Sequence, residues 1–283
     1  MIHARSKYAK FLAILMTLKS DTILDIVSHC GKCNKKGVKN IVYKLKNKYI
    51  ENMVSIKKIG DKYKLSCSYL VLNQMFEYER NFDNRGQVND EKLNNNISRA
   101  KSTVYELALC NPWDHFVTLT LDKNKYDRYN LDKYVKDLSQ FIRNQRRKYK
   151  TDIKYLLIPE QHKDGAWHIH GFLMGLKSKM LTENAHGYMD WIDYTLKFGY
   201  CSIDTIKHKN KAASYITKYI SKDFSRGNTK LNAKMYYCSQ GLQRAETIKI
   251  GLLKDKLSNP DYVGEYATIK WFDSLDSALD YVI

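Results

Sequence analysis

IKYLLIPEQHKDGAWHIHGFLMG, residues 153–175, places two runs of strand-forming residues on either side of a Lys163-Asp164-Gly165 turn. The pattern predicts an antiparallel hairpin. Residues i and i+2 of a strand share a face, so His168 and His170 project side by side while Ile169 points into a core on the other side. Paired imidazoles have a chelating geometry. A site for Mg²⁺ or Mn²⁺ also needs a carboxylate, because two neutral nitrogens alone hold a hard cation poorly. The turn locates two candidates for the third position. A three-residue loop with Gly165 left-handed pairs His162 with Ala166 and sets Glu160 opposite His168, whereas a two-residue Asp-Gly loop sets Gln161 there. The chemical need for a carboxylate favours Glu160. His162 falls in the turn and is expected to be exposed.

Further along, KAASYITKYISKD, residues 211–223, reads as a helix with Tyr215 and Tyr219 at i and i+4 on one side. Aromatics at this spacing usually serve a core, yet Lys211, Lys218 and Lys222 run along the tyrosine side. Ammonium groups stabilise a nearby phenolate, and an activated tyrosine oxygen is a nucleophile that forms covalent intermediates. Upstream, HFVTLTLD, residues 115–122, alternates as a half-buried strand does.

In order and spacing, Phe116–Asp122 (FVTLTLD), His168-Ile169-His170 and the YxxKY run Tyr215-Ile216-Thr217-Lys218-Tyr219 resemble the three motifs of the HUH endonucleases of rolling-circle replication. The phrases YLLIPEQHKDGAWHIHGF and YITKYISKD are similar to replication-associated proteins of Gram-positive plasmids, phages and integrated elements. The resemblance covers roughly residues 90–250 and leaves the first 80 residues aside. It implies an antiparallel sheet of about five strands, with a metal site on its central strands and the tyrosine helix packed across it. His168, His170 and an acidic residue would hold one Mg²⁺ or Mn²⁺, and Tyr215 would attack the scissile phosphate. The products are a 5′-phosphotyrosine and a free 3′-hydroxyl that a polymerase extends. By the same resemblance, Tyr219 serves a second, rejoining transesterification or stands by, and Lys218 assists proton transfer or holds the phosphate. Mobilisation relaxases and transposases use the same chemistry. A non-catalytic DNA-binding regulator is the alternative from a different class. The sequence has no GxxxxGK[ST] stretch, so unwinding would fall to a host helicase.

The remaining chain sets the expected organisation, an α+β protein with a central antiparallel sheet flanked by helices and a small basic module before it. Residues 1–80 read as that module: three helical stripes, the last through Val38, Ile41, Val42, Leu45 and Tyr49, then a hairpin turning at Gly60-Asp61. Three helices and a hairpin is winged-helix order. Eleven lysines lie between Lys32 and Lys64 against Glu51 and Asp61. Lys35, Lys36, Lys39 and Lys44 would then face a groove while Lys57 and Lys58 on the wing touch phosphates. A packing extension with a solvated basic face is the alternative. Residues 81–96, rich in Asn, Asp and Gly, read as a linker, and 97–260 as the endonuclease domain. The helix from Leu131 to about Tyr149 buries Leu131, Tyr134, Val135, Leu138, Phe141 and Ile142 and carries Arg143, Arg146 and Arg147, which with Lys222 are further candidates for DNA contact. Residues 261–283, with Asp273, Asp276 and Asp280, read as a short acidic tail helix.

Charge and cysteines bound the partners. The chain carries 48 Lys plus Arg against 30 Asp plus Glu, a formal charge of +18, and such a field draws in polyanions and holds them by releasing counterions. DNA is the expected partner. Six scattered cysteines fit a reducing cytoplasm. Cys30 and Cys33 have metal-knuckle spacing without a completing pair. The apolar FLAILMTL near the N-terminus lacks a signal-cleavage pattern and is too short to span a membrane. Oligomeric state leaves no mark in the sequence. Affinity for DNA is therefore expected to fall steeply between low and moderate salt, by roughly a thousandfold or more if six or more phosphates are neutralised; a flat anisotropy titration across that range would contradict phosphate-dominated binding.

Overall fold

The computed structural model describes residues 49–72, 90–185, 187–225 and 234–283. The three helices expected before residue 49 lie outside the described residues, together with Lys35, Lys36, Lys39, Lys44, Cys30 and Cys33. From residue 49 onward the described chain is α+β, with two antiparallel sheets and five helices.

The hairpin read as a wing is present: β1 (Tyr49–Ile59) pairs with β2 (Lys62–Leu72). Gly60, at φ 64°, opens the two-residue turn between them. Tyr49, read as the end of a helix, instead begins β1. The expected linker is shorter than its composition implies, because α1 (Asp90–Cys110) already starts within it; residues 81–89 lie outside the described residues. The large sheet then forms from β3 (His115–Leu121), β4 (Lys154–Gln161), β5 (Trp167–Met174), β6 (Leu181–Glu183), β7 (Met189–Trp191), β8 (Gly199–Thr205) and β9 (Tyr237–Cys238). Its order is β6-β7-β8-β3-β5-β4-β9. Helices α2 (Leu131–Tyr149) and α3 (Ile192–Lys197) follow β3 and β7, and α4 (Lys209–Ser225) follows β8.

Alternation along the strands makes two cores. Val117, Leu119, Ile169 and Leu173 face α2 and α3, where they pack on Tyr134, Leu138, Phe141, Trp191 and Phe198. Leu156, Ile158 and Phe172 face α1 and α4, where they meet Val104, Leu107, Ala213, Ile216 and Ile220. The α2 stripe recurs at i, i+4 and i+7 from Tyr134, and Asn130 caps its first turn by accepting from the Lys133 amide at 3.0 Å.

The C-terminal part departs from the expected domain split. β10 (Glu246–Leu252), β11 (Tyr262–Val263) and β12 (Ala267–Phe272) join β1 and β2 in a second sheet, ordered β10-β1-β2-β12-β11. The segment read as an acidic tail helix is mostly strand; only Leu275–Leu279, α5, is helical, capped by Ser274. Ile269, Trp271 and Phe272 favour an extended chain, and the Asp273 carboxylate meets Lys62 at 3.0 Å. One face of this sheet closes over Ala278 and Val282. On the other, Lys57 and Lys64 reach Glu106 of α1, at 3.1 and 3.9 Å. Residues 49–72 and 246–283 thus share one sheet, where the sequence suggests separate N- and C-terminal pieces. Among the described residues no helix is long and apolar enough to cross a membrane.

Gly171 lies between His170 and Phe172 in the middle of β5. A Cβ there would sit 2.3 Å from the Leu156 carbonyl oxygen and 2.6 Å from a Leu157 methyl. Gly171→Ala is expected to destabilise the protein by about 1–3 kcal/mol through overpacking, seen as a lower urea midpoint; an unchanged midpoint would contradict the strand spacing.

Candidate active site

The turn between β4 and β5 sets the site. The His162 amide donates to the Ala166 carbonyl at 2.8 Å, and the Gly165 amide, with Gly165 at φ 86°, donates to the His162 carbonyl at 2.9 Å. This is the three-residue loop, and Glu160 accordingly stands opposite His168 while Gln161 pairs with Trp167. Gln161 instead closes the turn, its amide donating to the Gly165 carbonyl at 2.9 Å.

On the α4 side of the sheet, β3 supplies a second pair of residues in register with the histidines: Thr118 opposite His170 and Thr120 opposite His168. The threonine hydroxyls lie 3.1 and 3.0 Å from the respective Nδ1 atoms. That contact fixes both rings and turns each Nε2 towards the open side of the sheet. His170 Nε2 lies 2.8 Å from Glu160 Oε2, and both residues are buried. Among the described residues no three His, Cys, Asp or Glu side chains already converge as a ready-made chelate. The donor set is nonetheless the kind that suits a divalent ion: two imidazoles held at Nδ1 by hydroxyl partners, with a carboxylate beside them. A threonine hydroxyl donates or accepts, so Thr118 stays bonded when the His170 proton moves from Nε2 to Nδ1.

Helix α4 brings the phenols. Ala213, Ile216 and Ile220 anchor it on the sheet, and the same spacing lays the Tyr219 ring on His170, with centroids 3.9 Å apart and planes 13° from parallel. Tyr219 donates its hydroxyl hydrogen to the Tyr215 oxygen at 2.8 Å. Their environments differ: Tyr219 is 6% exposed and Tyr215 is 47% exposed. Burial first, then the bond to Tyr215 and the nearby charges of Tyr215 and Glu160, hold the Tyr219 phenol well above its ordinary value. Tyr215 rests edge-on against Phe116 at 5.6 Å, and the Lys218 ammonium lies 5.5 Å from the Tyr215 ring centre.

Glu160, His168, His170, Tyr215, Lys218 and Tyr219 are therefore brought together, as the sequence leads one to expect. The basic candidates are not. Arg143, Arg146 and Arg147 ride on α2, across the sheet from the histidines. Arg146 there donates to the Ile153 carbonyl at 2.8 Å, tying α2 to β4. Arg143 bonds Ser139 and Gln140, and Arg147 bonds Asn144. Lys57 is held by Glu106, and Lys58 is exposed on β1 opposite Glu246. Lys222 belongs to α4, with its side chain outside those described.

Two contributions are not visible in the sequence pattern. Thr118 and Thr120 are legible as alternation but not as partners, although T-L-T matches the period of H-I-H. His162 is exposed as expected, yet it also stacks on His168 at 3.7 Å and 17°. Burial, then the charges of His162 and His170, depress the His168 value to about 4, against the raising influence of Glu160 and Asp164. The imidazole is thus neutral, the form that ligates, across the physiological range. Because the folded value lies below the ordinary 6.5, stability is full above that pH and declines as pH falls toward about 4. An NMR titration should place the His168 midpoint near 4, with His162→Ala moving it upward; a midpoint near 6.5 would contradict this packing.

Residues 114–224 match the family model for replication-associated proteins of the ORF2 type. No curated protein and no solved structure matches the chain. The matched segment is well under half of the chain, but it runs from just before β3 to the end of α4 and holds the whole imidazole–phenol face. The match supports a replication-associated role and implies DNA as a partner.

Proposed function

We propose that the chain initiates rolling-circle replication by nicking single-stranded DNA at an origin and later rejoining the strand. The observation that carries this reading is the stack of Tyr219 on His170 with its hydroxyl given to Tyr215. It sets a phenol oxygen beside an imidazole–carboxylate cluster, within the segment that matches the replication-associated family. Glu160, His168 and His170 would hold one Mg²⁺ or Mn²⁺, which when bound polarises the scissile phosphate as a Lewis acid and orients it for in-line attack.

The roles of the chain's own groups follow from their surroundings. Tyr215 is the first nucleophile, because its oxygen is the acceptor of the pair and its ring is open to solvent, where its proton can depart. Tyr219 stays protonated by burial and donates to the Tyr215 oxygen, stabilising phenolate as charge builds there. Lys218 adds positive potential beside the ring and suits the transferring phosphate. The Tyr215 Oη–phosphorus bond forms as the bond from phosphorus to the 3′-oxygen breaks, and that oxygen takes up a proton. The result is a 5′-phosphotyrosine and a 3′-hydroxyl, which a host polymerase would extend while a host helicase unwinds the template. Since one phosphodiester replaces another, attack by a later 3′-hydroxyl on the phosphotyrosine reseals the strand without ATP.

Incubation of a supercoiled origin plasmid with Mn²⁺ should give relaxed DNA with protein attached, and mass spectrometry of the conjugate should find the adduct on Tyr215. Tyr215→Phe should retain DNA binding and lower adduct formation by about a thousandfold or more. Tyr219→Phe removes only a donor and should slow the reaction by about a hundredfold. A gel shift without nicking by the unaltered chain would overturn the enzymatic reading, and an adduct on Tyr219 would reverse the two roles.

A further inference from the structure

The site face has a polar floor that α4 does not cover. Two cross-strand rows run over it. Tyr200 of β8 stands opposite Thr120 of β3, which stands opposite His168 of β5, which stands opposite Glu160 of β4. In the next row Ser202 pairs with Thr118 and Thr118 with His170. Directly paired residues of an antiparallel sheet share a face, so Tyr200 and Ser202 point to the same side as the histidines. The intervening residues of β8, Cys201 and Ile203, are buried in the opposite core. Helix α4 packs on β4 and β5 through Ala213, Ile216 and Ile220. Beside it Thr118, Thr120 and Ser202 are half-buried, and Tyr200 is 63% exposed.

We propose that Tyr200 is a stacking platform for a nucleobase, and that the single strand crosses the floor along the row from Tyr200 to His168. This rests on the reading of the site as one that takes single-stranded DNA. A single exposed tyrosine on a surface needs no explanation. This one differs by position: it lies two strand spacings, about 10 Å, from His168 on the same row. A base on its ring would thus belong to a nucleotide flanking the phosphate held at the imidazoles. Exposed aromatics beside positive charge are how single strands are held without sequence readout, each base offering a π-face. The positive charge is supplied by Lys211 and Lys218, exposed on α4 along the floor's edge. Asp204, exposed on the same face of β8 two residues beyond Ser202, repels a phosphate backbone. A path along β8 would pass that carboxylate, whereas a path across the strands avoids it.

The test measures binding apart from cleavage, using the full chain in EDTA and fluorescence anisotropy of a labelled single-stranded oligonucleotide. Tyr200→Ala should weaken binding by roughly tenfold, the loss of one stacked base. Tyr200→Phe should bind as the unaltered chain does, and Tyr200→Trp should keep affinity while single-stranded DNA quenches the added emission and duplex does not. Affinity of Tyr200→Ala within about twofold of the unaltered chain overturns the platform. Equal quenching of Tyr200→Trp by duplex overturns its single-strand preference. Should Tyr200→Ala not fold, the quenching alone decides. Loss of affinity in Tyr200→Ala together with an absence of any Mn²⁺-dependent adduct would leave the platform standing while the nicking reading fails.

Discussion

The register of one hairpin governs everything on the site face. Side chains alternate along β5, so a slip of one residue against β4 would turn His168 and His170 into the α2 core and Ile169 onto the open face. The slip is prevented locally. Gly165 adopts the left-handed conformation the loop requires, Asp164 accepts from the Ala166 amide at 3.1 Å, and Gln161 closes the turn from within. From outside, the Arg128 carbonyl accepts from the Trp167 amide at 2.9 Å. With the turn fixed, Glu160 faces His168, and the threonines of β3 fall opposite both histidines with no further specification.

The sheet then works as a partition. Its α2 side is closed by aromatic side chains, and its α4 side combines an apolar half, under α1 and α4, with a polar half on β3 and β8. A strongly basic chain therefore does not present its charge evenly to the site. The arginines of α2 lie behind the sheet and serve that helix and its junction with β4, while Lys57 and Lys64 neutralise Glu106 where α1 meets the small sheet. Net charge of +18 describes attraction to DNA at a distance, whereas the lysines of α4 are the ones placed beside the phenols.

Much of this is legible in the sequence because it is local. Period-two alternation in HFVTLTLD and AWHIHGFLMG, the Lys-Asp-Gly turn and the helical spacing of Tyr215 and Tyr219 each sit within a few residues, and each fixes an orientation by geometry alone. The small sheet is illegible for the opposite reason. Strand β12 pairs with β2 across some 200 residues of chain, as Trp271 opposite Lys64 shows, and such a contact leaves no periodic trace at either end. The ATIKWF run has strand-forming residues, but its neighbouring aspartates suggest an acidic helix. Charge in Arg143, Arg146 and Arg147 is equally visible and equally ambiguous, because a helix's polar face says nothing about which side of a sheet it covers. His162 is only half legible because a turn residue has no strand parity; the packed rings alone show that it lies on His168.

The two tyrosines show how much the fold adds to a motif. As a sequence they are equivalent, one helical turn apart on one face. The tilt of α4 over β5 separates them: Tyr219 goes down onto His170 and is sealed, and Tyr215 stays at the rim against Phe116. Burial raises the free energy of a phenolate at Tyr219 and so keeps its proton where it can be donated. The direction of the hydrogen bond between them then has one answer, with Tyr215 as the acceptor on which negative charge can gather. Sequence spacing brings two phenols together, but it is unequal access to water that gives them different work.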